Sequence, residues 1–225
     1  MQEEGSLKRA YEKRIAQKRK GYEITAKMIG YTIQKMKVAK IITGNVQIKG
    51  RLKSFKSARE NYSKKAIDDC FGIRIIAEKS EDLEAIRRQL EKILVVEQTK
   101  DHRNKSETIY NAVHQMAHVD SRYIQANNLD PEIFPIIEIQ YWGKELETMC
   151  LNGELAYSKY KKRNVDKIME TYAKNPYDVY ANLPTCYEIN GNKIRILSAE
   201  ETLATIYPEL ESIMQANQAV KSEAR

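Results

Sequence analysis

The sequence predicts an α+β domain, and three observations carry that prediction. Short stretches with period-two alternation interleave with longer stretches at the 3.6-residue period of a helix. Their order along the chain is irregular, unlike the strict strand–helix alternation of a doubly wound sheet. The chain has 225 residues of which 42% are hydrophobic, enough for one well-buried domain. No repeat, low-complexity tract or linker divides it. The expected organisation is a single domain over 1–225, with basic N-terminal helices over 1–45, a core over 46–161 and C-terminal helices over 162–225.

Residues 6–42 read as helical, with Ser6 as N-cap and Ile24, Met28, Tyr31 and Lys35 at helical spacing. Gly21, Gly30 and Gly44 are expected to divide this stretch into two helices and a stop. Val46-Gln47-Ile48-Lys49-Gly50 alternates as a strand, a short helix fits 56–65, and Phe71–Ile76 reads as a buried strand. Ser80 is the expected cap of a helix over about 81–92, whose Leu83, Ile86, Leu90 and Ile93 share a face. Leu94–Glu97 starts another strand, followed by a polar loop over 100–107. Tyr110–Val119 and Phe134–Trp142 complete the convincing strands. Helices are expected at about 145–162, 164–174 and 199–216, with a small hairpin at Asn190-Gly191.

Composition narrows the function classes. No apolar run approaches the roughly 18 residues needed to span a bilayer. The acidic opening Met1-Gln2-Glu3-Glu4 does not suit a signal peptide. Cys70, Cys150 and Cys186 are odd in number and lack a CxxC pair, as expected in a reducing compartment. A cytoplasmic chain with no membrane partner is the expectation. Charge is unevenly spread: residues 1–65 hold 18 Lys and Arg against 5 Asp and Glu, whereas 66–225 hold 20 against 26. A polyanion meeting the N-terminal region would account for this, and so would a solvated basic helix.

Three constellations carry chemistry. Asp69 opens the strand containing Gly72 and Arg74, and Glu138 and Gln140 lie one pleat apart, so their side chains share a sheet face. Two carboxylates on separate strands can hold Mg²⁺ completed by substrate phosphates, although an exposed polar sheet face gives the same pattern. In Gly50-Arg51-Leu52-Lys53-Ser54-Phe55-Lys56-Ser57, Arg51 and Lys53 share a strand face and Ser57 stands where a helix is expected to begin. Cations, a hydroxyl and helix N–H groups together suit a triphosphate, and ordinary edge-strand charge also fits. In Tyr110-Asn111-Ala112-Val113-His114, an aromatic ring and an imidazole alternate onto one face, where the ring can stack on a base or fill a core. His102 and His118 have no comparable company. No Walker A sequence, GxSxG, HExxH or strand-linked GxGxxG is present, and no cysteine carries a nucleophile motif.

Taken in order, these pieces resemble the synthetase domain of the RelA/SpoT homologue family, over roughly residues 46–161. The matching motifs are R-x-K-x-x-x-S at Arg51, Lys53 and Ser57, and D-x-x-G-x-R at Asp69, Gly72 and Arg74. They continue with Y-x-x-x-H at Tyr110 and His114, E-x-Q at Glu138 and Gln140, and E-x-x-x-x-x-Y-K at Glu154, Tyr160 and Lys161. The resemblance implies a nucleotidyltransferase-like mixed sheet of about five strands flanked by helices. It implies that Asp69 and Glu138 are catalytic and bind Mg²⁺, with Glu138 the candidate base. It further implies that Arg51 and Arg74 sandwich the adenine of ATP, the pyrophosphate donor, and that Lys53, Ser57 and Lys105 hold its phosphates. Tyr110 would stack on the acceptor, with His114 and Gln140 beside it.

The departures cluster on the acceptor side. Ile109 precedes Tyr110 where the family has Gly, Tyr141-Trp142-Gly143 follows Gln140 in place of Ile-Arg-Thr, and Tyr157 stands at the usual His. A Lys expected soon after Ser57 is displaced to Lys64 or Lys65. The chain is therefore most similar to the small stand-alone members, without hydrolase or regulatory domains, and among them to toxic synthetases that pyrophosphorylate the 3′ CCA end of tRNA. That likeness implies inhibition of translation and a neutralising antitoxin protein as partner. The basic N-terminal region supports it independently, because an acceptor stem needs a cationic platform and a mononucleotide does not. Lys13, Arg14, Lys18, Arg19 and Lys20 are the expected tRNA contacts, joined by Lys161, Lys162 and Arg163. The alternative is a synthetase making (p)ppGpp from ATP and GDP or GTP.

Overall fold

A computed structural model of the chain describes residues 2–59, 70–103, 111–152 and 165–207. The chain opens with one uninterrupted helix, α1 (Gln2–Val38). It continues through β1 (Val46–Leu52), α2 (Phe55–Arg59), β2 (Phe71–Ala77), α3 (Ser80–Leu90), β3 (Leu94–Asp101) and β4 (Ala112–Val119). After α4 (Ser121–Ala126) and a 3₁₀ turn (Pro131–Ile133) come β5 (Ile137–Gly143) and α5 (Lys144–Asn152). The last described elements are α6 (Val165–Lys174), α7 (Pro176–Tyr180), β6 (Thr185–Asn190), β7 (Lys193–Ile196) and α8 (Ala199–Ile206).

The α+β expectation holds, but the sheet is larger than expected. Among the described residues it has seven strands in the order β3-β4-β5-β2-β1-β6-β7, all neighbours antiparallel except β2 and β5. The Asn190-Gly191 hairpin pairs onto β1 and extends the sheet, Gly191 taking the left-handed turn at φ +57°. The sixth and seventh strands are thus the hairpin that local pattern reading left apart.

Alternation along the strands divides the sheet into two faces. Ile48, Leu52, Phe71, Ile73, Ile75, Ile137 and Ile139 form the apolar face, packed against Tyr22, Ile29 and Ile33 of α1 and Ile86 and Leu90 of α3. A smaller core of Tyr172, Val179, Leu203 and Tyr207 gathers α6, α7 and α8.

Gly21 and Gly30 do not break α1. At both positions the helix passes close to other backbone: a Cβ on Gly21 would run into the Ile133 carbonyl, and one on Gly30 into the Gly191 carbonyl. Gly44 does lie beyond the helix end, where the buried Asp82 carboxylate accepts the N–H groups of Thr43 (3.3 Å) and Gly44 (2.7 Å). Three local readings need correction. Lys79 rather than Ser80 is the N-cap of α3, with no side-chain cap. β3 runs on to Asp101, because its pairing with β4 carries strand geometry into the expected polar loop. Ser57 lies inside α2, and its N–H is directed at the Ser54 hydroxyl at 3.3 Å. Among the described residues no helix is long and apolar enough to cross a membrane.

Candidate active site

The site lies on the polar face of the sheet, and strand register assembles it. Antiparallel pairing sets Arg51 opposite Gly72, and parallel pairing sets Gly72 opposite Glu138. One row across three strands therefore reads Arg51, Gly72, Glu138. The central residue has no side chain, so the flanking cation and anion face each other over bare backbone. The next row reads Lys49, Arg74, Gln140, His114.

Glycine has a second use here. At Gly50 a Cβ would collide with the Tyr22 hydroxyl, which reaches past β1 to donate to the Gly72 carbonyl at 2.9 Å. The Gly-Arg pair at 50–51 thus combines a close contact on the apolar face with a cation on the polar one. Farther along, the Tyr11 hydroxyl donates to the Lys53 carbonyl, while the Lys53 N–H bonds the Cys70 carbonyl at 2.9 Å. The end of β1 is clamped between α1 and the start of β2.

Glu138 is the focus of a hydrogen-bonded chain. Arg74 Nε donates to Gln140 Oε1 at 3.1 Å, Gln140 Nε2 donates to Glu138 Oε2 at 2.8 Å, and His114 Nδ1 lies 3.1 Å from Glu138 Oε1. An ionised carboxylate only accepts, so Nδ1 carries the hydrogen in that contact. Burial pushes the Glu138 carboxyl up. The hydrogen bond and charge of His114, the hydrogen bond of Gln140 and the charge of Arg51 outweigh burial and hold it at about 2. A carboxyl that acidic is ionised at neutral pH, the state in which it can accept a hard cation. Among the described residues no group of three metal-ligating side chains occurs, so a cation at Glu138 would need water, substrate phosphate or groups outside the described residues.

The structure brings together Arg51, Arg74, His114, Glu138 and Gln140 on the polar face of the sheet. Asp69, Lys105, Tyr110, Lys161, Lys162 and Arg163 lie outside the described residues, as do Lys64, Lys65, Glu154, Tyr157 and Tyr160. Two residues join the site that sequence reasoning did not place there. The His102 ring meets the His114 ring edge-on at 5.1 Å, and the Arg74 guanidinium lies 3.5 Å over the Trp142 ring. No local signal pointed to His102, whose N–H reaches the Ala112 carbonyl only because β3 pairs with β4. His118 is engaged elsewhere, with Glu97 at 2.9 Å.

The five N-terminal basic residues behave unequally. Lys18 Nζ donates to the Glu132 and Phe134 carbonyls at 3.1 and 3.3 Å, and Arg19 pairs with Glu23 at 3.1 Å. Lys13 and Lys20 are exposed and Arg14 is half-buried. All five stand on α1, which covers the apolar face. Its N-terminal half reaches the sheet end where β1 stops and β5 begins, near the Arg51–Gly72–Glu138 row.

No protein-family model and no curated protein matches the sequence. Solved structures do match the fold. Small alarmone synthetase 1 from Bacillus subtilis bound to its product pppGpp is 16% identical, with a TM-score of 0.54 over 76% of this chain and 92% of that one. Another structure of small alarmone synthetase 1 from Bacillus subtilis is 13% identical, with a TM-score of 0.52 over 95% and 98%. The same enzyme bound to AMPCPP is 15% identical, with a TM-score of 0.50 over 94% and 99%. This chain has the fold of the small alarmone synthetases, a mixed sheet flanked by helices.

Proposed function

We propose that this chain is an ATP pyrophosphokinase that moves the β,γ-pyrophosphate of ATP onto a ribose 3′-hydroxyl. The observation that carries the reading is the ionised Glu138 facing Arg51 across Gly72, with Arg74 and His114 linked to it, on a fold shared with small alarmone synthetases. The acceptor hydroxyl gives its proton to Glu138, the candidate base, and on to water as its oxygen bonds to the β-phosphorus; the bond from that phosphorus to the α-phosphate oxygen breaks, and AMP leaves. Arg51 and Arg74 hold the adenine, and Lys53, Ser57 and Lys105 the phosphates. Glu138 and Asp69 would hold Mg²⁺, which would neutralise charge on the phosphoryl oxygens. Tyr110, His114 and Gln140 face the acceptor. The chemistry is positional and electrostatic.

The acceptor is the 3′ CCA end of tRNA. Blocking that hydroxyl stops translation, so the chain acts as a toxin whose partner is a neutralising antitoxin protein. The concentration of positive charge in residues 1–65 supports this acceptor, as does the arrival of the N-terminal half of α1 at the Glu138 end of the sheet. A second reading, synthesis of (p)ppGpp from GDP or GTP, is favoured by the likeness to a synthetase bound to its product pppGpp. The deciding experiment offers the purified chain γ-³²P-labelled ATP with tRNA and GDP side by side. Label on tRNA that disappears when the 3′-terminal adenosine is removed is the expected result. Label on GDP alone establishes the second reading, and label on neither refutes both.

A further inference from the structure

Trp142 is the chain's only tryptophan and stands in β5 where the family resemblance leads one to expect a cation. Its side chain is buried, 4% exposed, among Ile76, Ala112 and Leu146, with Cys150 packed against it. This apolar island lies on the otherwise polar face of the sheet. Register sets Trp142 opposite Ile76 and sets Gln140 opposite Arg74. The indole nevertheless covers Arg74, one pleat back along the strand, at 3.5 Å from the guanidinium carbon to the ring centroid. Two of the contacts that hold the guanidinium are the Gln140 amide oxygen, which takes its Nε–H at 3.1 Å, and the indole, which takes one face of its plane.

These two contacts do different work. The hydrogen bond fixes the edge of the guanidinium and links it to Glu138 through Gln140. The stack fixes its plane. An arginine has many rotamers, and a planar partner restricts the cation to one of them before any ligand arrives. Filling the island would not by itself require the ring to lie over a charged group, since an aliphatic side chain can pack against Ile76 and Leu146.

We propose that Trp142 is a positioning residue that presents the guanidinium plane of Arg74 to the base of ATP. This rests on the reading of Arg74 as a donor-nucleotide residue. It assigns a function to a position where the chain departs from the family pattern: an aromatic ring there preorganises the ATP side of the site. Trp142 touches Arg74 rather than the reacting atoms, so its loss should raise the KM for ATP and leave kcat and the acceptor KM close to wild type.

The test uses the full chain and compares Trp142→Phe with Trp142→Leu. Both leave space beside Leu146 and Cys150, but only phenylalanine keeps a ring over Arg74. Binding of AMPCPP is measured by calorimetry, separately from pyrophosphate transfer, and thermal melting reports folding. The leucine variant is expected to bind AMPCPP about tenfold more weakly, and the phenylalanine variant within about threefold of wild type. In the wild type, emission from the single indole should change on addition of AMPCPP and not on addition of acceptor alone. Folded leucine protein with wild-type affinity, or equal losses in both variants, overturns the inference. So does an indole emission that saturating AMPCPP leaves unaltered, a result that does not depend on either variant folding. Wild-type protein that neither binds AMPCPP nor transfers pyrophosphate instead overturns the proposed function, and the role of Trp142 with it.

Discussion

Glu147 offers a quantitative test of how the site is braced. It lies on α5, directly after the strand that carries Glu138, and is buried to 3% exposure. Its two oxygens each accept from a lysine at 2.6 Å, Lys49 of β1 on one side and Lys144 on the other. The carboxylate thus ties α5 to β1, across the face that holds the site. Glu147→Gln keeps the shape and removes the charge. An exposed pair contributes about 0–1 kcal/mol and breaking a buried one costs about 3–5 kcal/mol. Here the anion is buried while the lysine side chains remain 34% and 48% exposed, so water can recover much of their charge. A loss of about 2 kcal/mol follows, or a fall in Tm of about 4–8 °C for a chain of this size.

The pH dependence has a defined sign. Burial raises the Glu147 carboxyl, but hydrogen bonds from Lys144 and Lys49 and their charges outweigh it, so its folded value lies below the ordinary 4.5. A depressed carboxyl stabilises the fold fully above its unfolded value, and that contribution fades as pH falls through the folded one. Melting wild type and Glu147→Gln in parallel from pH 7 to pH 4 should show a gap that is constant above about pH 5.5 and narrows below 4.5. No gap at pH 7, or a gap that widens on acidification, refutes the brace.

Three further predictions address the metal, α1 and the acceptor. Glu138→Gln keeps one accepting oxygen, for the Gln140 amide, and turns a donor toward His114, which can accept it at Nδ1 only as the neutral Nε2–H tautomer; the charge a cation needs is lost. Transfer should fall on the order of 1000-fold with little change in melting, and a variant retaining a tenth of wild-type activity would remove Glu138 from the metal site. Gly30→Ala should lower Tm by about 2–4 °C, because overpacking against the Gly191 carbonyl and Ile189 exceeds the helix-propensity gain of about 1 kcal/mol. Gly5→Ala on the same helix should not destabilise, since its Cβ would meet only Arg9 at 3.9 Å, and a matching loss at both positions would refute the packing explanation. Reversing Lys13, Arg14 and Lys20 to Glu should weaken tRNA modification and flatten its log–log salt slope by up to about 3, with AMPCPP affinity unchanged. Wild-type labelling by that variant in moderate salt would dismiss α1 as the tRNA platform.

Much of this molecule was legible in one dimension because its signals are local. Period-two alternation located β1, β2 and β5, and the same period put Glu138 and Gln140 on one face, where Gln140 donates to Glu138. Asn190-Gly191 announced a hairpin because a tight turn needs a residue tolerant of positive φ. What the sequence could not determine depends on partners far away in the chain. Gly21 and Gly30 read as helix breaks until the Ile133 and Gly191 carbonyls fill the space beside them. In the sequence Lys18 and Arg19 are two more cations of a basic stretch, and only the fold shows Lys18 donating to the Phe134 carbonyl and Arg19 paired with Glu23. Trp142 read only as a departure from a motif, and His102 as an isolated imidazole, until strand pairing brought Arg74 and His114 alongside. Backbone periodicity is a property of neighbouring residues and survives in the sequence alone. A close approach, a stacked cation or an occupied charge is a property of the register between strands and helices, which only the tertiary structure decides.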